Sequence, residues 1–346
     1  MKALLLAGGL GTRLRPLTEH LPKPMALVMG RPWLDHLIRH YRDQGISRFV
    51  IAVQHRKELI QSWIGDGSRY DVTVEYAEER ELMGTAGAVK NAEPLLGERF
   101  VVVNADIIHQ IDLHAALRFH EQHGGAATIC LTQVEDPSSY GAVDIGPRGE
   151  ISAFVEKPKK EEAPSNLVNA GVYILERRVL DHIPAGRAVS IEKETFPELI
   201  RNGCGVYGHL LKGYWLDMGT QERYRQLHWD VMDGRFPLPM SGKKMGDKNV
   251  RAGEHVRIGQ GVLLIPPVVL GDRVTIGDRS IIGPYAVIGN DCRIGRGVRI
   301  AHSILWDHCH VRTGAQLNRC ILGFGTRVGP QILHEAVCNR AGEVPL

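Results

Sequence analysis

The chain is 346 residues long, 43% hydrophobic and 23% charged, an ordinary globular composition with room for two domains. Its 42 basic and 39 acidic residues give a formal net charge of +3, too balanced to argue for nucleic acid or a membrane surface as partner. No run approaches the about 18 apolar residues of a membrane span, and the apolar start breaks off too early for a secretion signal.

In chain order, the apolar run Lys2–Leu6 predicts a buried strand that opens directly into Gly8, Gly9 and Gly11. Glycines there let backbone N–H groups turn toward an anion with no Cβ in the way. Arg13, Arg15 and Lys23 follow closely, so the strand end predicts a seat for a nucleoside triphosphate. It is not a dinucleotide fingerprint, because Leu14 stands where the third glycine belongs, and no Gly-Lys-Ser/Thr phosphate loop occurs. Helices are predicted over 32–44, 56–64, 87–92, 112–123 and 193–202, and further strands over 49–53, 73–76, 100–103 and 127–131. This alternation predicts an α/β fold: a Rossmann-like mixed, mostly parallel sheet with helices on both faces. Ligands of such sheets sit at the carboxyl ends of strands, where Gly8–Arg13 and Asn104-Ala105-Asp106 both lie.

Residues 232–250, rich in Gly, Pro and Lys, read as a linker. Beyond it, aliphatic residues recur every six positions: Ile258, Leu264, Leu270, Ile276, Ile282, Ile288, Ile294 and Ile300, most followed by glycine. That period fits neither strand nor helix; it is the hexapeptide repeat of a parallel β-helix, whose stacked coils bury the aliphatics. The pattern decays after Trp306 and is expected to continue irregularly to about Val328. The expected domains are 1–231, the linker 232–250, and a coil domain with its tail over 251–346. Unpaired coil ends predict a homo-oligomer, dimeric or higher. Cys130, Cys204, Cys292, Cys309, Cys320 and Cys338 are scattered with no Cys-x-x-Cys pair, which predicts reduced thiols and a cytoplasmic location.

Taken whole, the run from Gly8 to Thr18 (G-G-x-G-T-R-L-x-P-L-T), followed by Pro22-Lys23-Pro24, resembles the sugar-1-phosphate nucleotidyltransferases, or NDP-sugar pyrophosphorylases. Further segments extend the resemblance over nearly the whole chain. They are Leu82-Met83-Gly84-Thr85-Ala86-Gly87-Ala88, with Met83 inserted, and Asn104-Ala105-Asp106, with Ala in place of the more frequent Gly. Tyr140-Gly141, Glu156-Lys157-Pro158, Asn169-Ala170-Gly171 and Trp215-Leu216-Asp217-Met218-Gly219-Thr220 complete the set, and the repeats resemble a left-handed β-helix. The combination looks most like mannose-1-phosphate guanylyltransferases.

The resemblance implies attack of a sugar 1-phosphate oxygen on the α-phosphorus of an NTP, with pyrophosphate leaving. The nucleophile is already an anion, so positioning, charge neutralisation and Mg²⁺ must carry catalysis. Arg13, Lys23 and Asp106 are the implied catalytic residues, and Asp106 and Asp217 the implied metal ligands. Leu6, Ala7, Gly8, Gly9, Gly11, Thr12, Arg13, Glu79, Gly84 and Thr85 are implied around the nucleotide. Gly141, Glu156, Lys157 and Asn169 are implied around the sugar phosphate; Arg15 serves equally well as a surface ion pair.

Glu78, Glu79 and Glu81 precede the Gly84 loop. A carboxylate only accepts hydrogen bonds, which suits the adjacent N1–H and N2–H₂ of guanine and favours GTP; Gln54 on the same edge suits a pyrimidine instead. The alternatives are a thymidylyl- or uridylyltransferase acting on glucose 1-phosphate and a non-catalytic regulatory subunit of the same architecture. A second, acyltransferase activity would need His302, His308 or His310.

Overall fold

A computed structural model describes residues 1–9, 11–240, 242–246 and 249–339. By packing, the chain divides into two compact units that do not follow sequence order. One is built from the first nine residues with Leu34–Asp217, the other from Gly11–Trp33 with the chain from Met218 onward.

In the first unit, β1 (Lys2–Leu6), β2 (Arg48–Val53), β3 (Thr73–Glu78) and β4 (Arg99–Asn104) lie parallel in the order β3-β2-β1-β4. Helices α1 (Trp33–Arg42), α2 (Lys57–Ile64) and α3 (Gly84–Asn91) make the connections. Covered on both faces, β1, β2 and β4 are nearly all apolar: Ala3, Leu4 and Leu5 and all of Phe49–Val53 and Phe100–Val103 are fully buried, whereas the edge strand β3 mixes buried and exposed residues. After β4 come the short β5 (Ile107–His109) and α4 (Leu113–His123), whose start is capped by Asp112 accepting from Ala115 N–H at 2.9 Å.

The rest of the sheet is mixed. It uses β6 (Ala127–Gln133), β7 (Gly141–Ile145), β8 (Ile151–Glu156), β9 (Leu167–Glu176) and β10 (Val206–Leu210). Strand β9 runs antiparallel to β4, β6 and β7, and β10 lies parallel to β6. Sequence reading named none of β7 to β10, because β7 and β8 are short and half exposed and β9 is broken by a register shift between Asn169 and Tyr173. Two helix boundaries also move. Helix α3 begins at Gly84 rather than 87, and the segment at 193–202 is a π-helical turn (Ile191–Thr195) leading into α5 (Phe196–Arg201). A last strand, β11 (Trp215–Asp217), pairs antiparallel with β5.

In the second unit, parallel strands stack into three sheets around one core, consistent with a left-handed β-helix. Val268 pairs with Ala286 eighteen residues on, Val287 with Ile304 seventeen on, and Ile321 with Val337 sixteen on. The hexapeptide pattern fades after Trp306 because the turns shorten, while the stacking continues to Val337–Cys338, past the expected end near Val328. Glycine after each repeated aliphatic has a steric reason. A Cβ on Gly259 would stand 2.5 Å from Asp278 Oδ1, and one on Gly289 would collide with Asp307. These carboxylates accept backbone N–H groups of the preceding coil, Asp278 from Gln260 at 2.9 Å and Asp307 from Asn290 at 2.8 Å. Part of the expected linker joins the coil, since Lys243–Lys244 pairs with Arg251–Ala252.

Candidate active site

In the first unit, the carboxyl ends of the parallel strands gather the glycine loop and two motif groups. Ala105 N–H bonds to Leu6 O at 3.1 Å and Ala7 N–H to Ala52 O at 3.0 Å, so Gly8 and Gly9 leave the sheet at one level with Asp106. Gly9 is open to solvent, but Gly8 is not: a Cβ there would stand 2.9 Å from Glu79 Oε1 and 3.6 Å from Gln54 Cβ. Glu79 is 9% exposed, and burial raises its carboxyl above the ordinary range; the Met83 N–H donated to Oε2 at 3.1 Å works against that rise. Gln54 Oε1 is buried and accepts no hydrogen bond. Gly8 therefore faces one carboxylate acceptor, with the Gln54 stem beside it. The other acidic residues of this segment point elsewhere, Glu78 to Lys57 at 2.6 Å and Gln61 at 2.9 Å, and Glu81 to solvent.

The Gly84-Thr85 pair, expected at the base, is fixed by contacts of its own. Gly84 has φ +70°, and a Cβ would lie 2.5 Å from Val189 O. Thr85 Oγ1 donates to Glu192 Oε2 at 2.7 Å and accepts Ile191 N–H at 2.8 Å. Both residues thus fasten α3 to the 189–192 segment, with Gly84 itself exposed.

Backbone register brings the chain positions of Asp106 and Asp217 close to each other. Strand β11 pairs with β5 so that Asp217 stands opposite Ile107, the neighbour of Asp106. Asp217 is 7% exposed, and nearby Asn104 Oδ1 is buried with no donor. Among the described residues no group of three or more His, Cys, Asp or Glu is arranged to hold a metal. Carboxylates and an orphaned amide oxygen are hard oxygen donors, the donor chemistry that suits a cation completed by substrate oxygens and water.

The same floor carries the remaining motifs. Trp215 Nε1 donates to Ala170 O at 3.1 Å, and the Trp215 ring meets Tyr140 edge-on at 5.2 Å. Asn169 Nδ2 donates to Tyr173 Oη at 2.9 Å, and its Oδ1 accepts Gly171 N–H at 2.9 Å. Gly141 stands opposite Glu156 in the β7–β8 ladder, and a Cβ on it would meet Phe154 Cζ at 2.6 Å and Glu156 Oε2 at 3.0 Å. Burial and the charge of Glu192 raise the Glu156 carboxyl, while neighbouring Lys157 is exposed, with its Nζ 3.8 Å from Glu156. Glu192 was missed by sequence reading; only its acidic character inside Ser190–Thr195 could have signalled it.

The cations belong to the second unit. Gly11 has φ +59°, and a Cβ would stand 2.9 Å from Lys23 Cβ and 3.3 Å from Thr18 Cγ2. Thr18 Oγ1 donates to Gly11 O at 2.7 Å, which explains why threonine ends the long motif. Lys23 is 6% exposed, whereas Arg13, on the single 3₁₀ turn Thr12–Leu14, and Arg15 are exposed. The last motif ends by capping α6 (Gln221–Met232), Thr220 Oγ1 accepting from Arg223 N–H at 3.2 Å. His302 of the coil is stacked on Tyr285 and edge-on to Trp229, so it is held in an aromatic seam.

The first unit carries a strand-end glycine loop and two carboxylates and the second carries the cations, the residue types that a phosphate-handling transferase uses. The chain belongs to the nucleotidyl transferase family, whose model matches residues 2–234, and residues 264–344 match the GMPPB C-terminal domain. It is 37% identical over 253 residues to a mannose-1-phosphate guanylyltransferase of Mycobacterium tuberculosis, covering 72% of this chain and 70% of that one. It is equally 37% identical over 269 residues to mannose-1-phosphate guanylyltransferase 1 of Arabidopsis thaliana, covering 73% of each. Among solved structures it resembles HddC from Yersinia pseudotuberculosis complexed with GMP-PN, at 27% identity and a TM-score of 0.58 over 66% of this chain and 99% of that one. The family's substrates are an NTP and a sugar 1-phosphate, and it generally uses a divalent metal. Among the described residues no helix is long and apolar enough to cross a membrane.

Proposed function

We propose that this protein transfers GMP from GTP to mannose 1-phosphate, releasing pyrophosphate and forming GDP-mannose. The observation that carries the choice of base is the Glu79 carboxylate oxygen at Gly8. Such an acceptor suits a ligand edge rich in N–H donors, and guanine offers N1–H and N2–H₂ on one edge. The names of the relatives support both base and sugar.

Arg13 takes the β- and γ-phosphates as a planar fork, and Lys23 holds a point charge at the α-phosphate, where negative charge builds. Glu156 and Asn169 orient the sugar hydroxyls against the Gly141 backbone, and Lys157 holds the sugar's phosphate. Asp106 and Asp217 are the ligands for Mg²⁺, which when bound neutralises and aligns phosphate oxygens. The chain supplies no general base because the attacking phosphate oxygen needs none.

The cysteines, all free, suit a reducing, cytoplasmic setting. The first coil leaves Ile258 39% and Leu263 51% exposed, which supports self-association. The deciding experiment is pyrophosphate release with Mg²⁺, crossing GTP, dTTP, UTP, CTP and ATP against mannose, glucose and N-acetylglucosamine 1-phosphates. Turnover confined to GTP with mannose 1-phosphate is expected. Preference for a pyrimidine nucleotide rejects the base assignment, and nucleotide binding without turnover points to a regulatory subunit.

A further inference from the structure

Residues 11–33 leave β1 and return to α1, yet they pack in the compact unit of α6 and the coil. Along this segment, side-chain donors from later in the chain each reach a backbone carbonyl. Gln221 Nε2 donates to Arg15 O at 2.6 Å, and Asn339 Nδ2, from the last described turn of the coil, donates to Pro16 O at 3.1 Å. Tyr224 Oη donates to Leu27 O and accepts Trp306 Nε1–H, the latter at 2.9 Å. His228 Nε2 accepts Met29 N–H at 3.4 Å, and its Nδ1 donates to Tyr224 O at 2.9 Å. Tyr224, His228 and Trp306 are each no more than 2% exposed. In such surroundings a hydrogen bond is difficult to replace by water.

We propose that the coil is a working part of the nucleotide site: through Trp306 and Asn339 of the coil, and Tyr224 and Gln221 of α6, it positions the segment that carries Arg13 and Lys23. These four are positioning residues, acting through the backbone at Arg15, Pro16 and Leu27. Trp306 occupies the repeat position that Gly289 holds one turn earlier, so the repeat is broken at the residue that makes the link. The kinetic part of the idea rests on the transferase reading; the structural part does not.

The test compares Trp306→Phe and Tyr224→Phe, each of which keeps an aromatic ring and loses one hydrogen-bonding group, with Trp229→Phe. Trp229 lies on α6 as Tyr224 does, and its replacement loses the same indole volume as Trp306→Phe, but its Nε1 is buried without a partner, so this control loses no link. Amide hydrogen exchange of residues 11–33 should quicken about three- to tenfold in the two test variants, with β4 amides and the control unchanged. The KM for the NTP should rise by a similar factor while the KM for the sugar 1-phosphate stays put. Exchange that stays at wild-type rates, or that quickens equally in β4, overturns the proposal. So does an NTP KM that fails to rise, or one that moves together with the sugar phosphate KM. If the wild-type protein transfers nothing, the transferase reading fails, and the exchange pattern still decides whether the coil holds the segment.

Discussion

Glu79 shows how much one side chain can carry. Its folded pKa is raised by burial, so the folded chain takes up a proton that the unfolded chain has already lost in the window above about 4.5. Folding stability is therefore expected to fall as pH rises through that window and then level off. Glu79→Gln, which keeps an acceptor for Met83 N–H, should remove that slope in denaturant midpoints measured against pH, and should weaken GTP selectively. A parallel slope in the variant would refute the assignment. The proposed metal ligands give the second residue-scale prediction. Asp106→Ala or Asp217→Ala should lower kcat by at least about a hundredfold with the fold retained by circular dichroism. Activity within a few fold of wild type in both would exclude them as ligands.

At the scale of elements, the cation loop is held open by Gly11 and closed by Thr18. Ala at position 11 must adopt a left-handed φ and press on Lys23 Cβ, a cost of about 1–2 kcal/mol before any clash. Gly11→Ala should lower both Tm and NTP affinity, whereas Thr18→Val should cost about 1 kcal/mol through the lost bond to Gly11 O. Calorimetry and nucleotide titration read both, and an unperturbed Gly11→Ala would contradict the geometry. The α3 loop gives the contrasting lesson. Its G-T-A-G-A spelling suggests a base-binding turn, and in the fold Gly84 and Thr85 also make contacts with Val189, Ile191 and Glu192. A spacing motif reports that a glycine is required, and only the partner across the turn reveals why.

For the whole molecule, the crossing of chain between units matters most. Residues 11–33 belong by packing with α6 and the coil, so removal of everything after residue 234 should do more than shorten the protein. It strips Tyr224 of Trp306 and Pro16 of Asn339, and the truncated chain is expected to lose NTP binding measured by titration. Substituting Ile258 and Leu263 together by Asp should reduce the assembly measured by light scattering while leaving the coil folded; an unchanged mass would place the interface elsewhere.

Much of this protein was written locally. Apolar runs shielded on both faces gave β1 to β4, and the six-residue period gave the coil, because in both cases burial repeats with a fixed spacing that a single chain displays. The short motifs named Asp106, Asp217 and Lys23 as candidates, since strand ends and special backbone angles restrict residue type at the position itself. Sequence could not see the register that sets Asp217 opposite Ile107, the burial that separates Glu79 from Glu78 and Glu81, or Glu192 behind α3. Nor could it show that Trp306, seeming only to spoil a repeat, reaches Tyr224. Those features join residues about 80 to 110 positions apart or depend on which side chain is shielded from water, and only the packed chain fixes either.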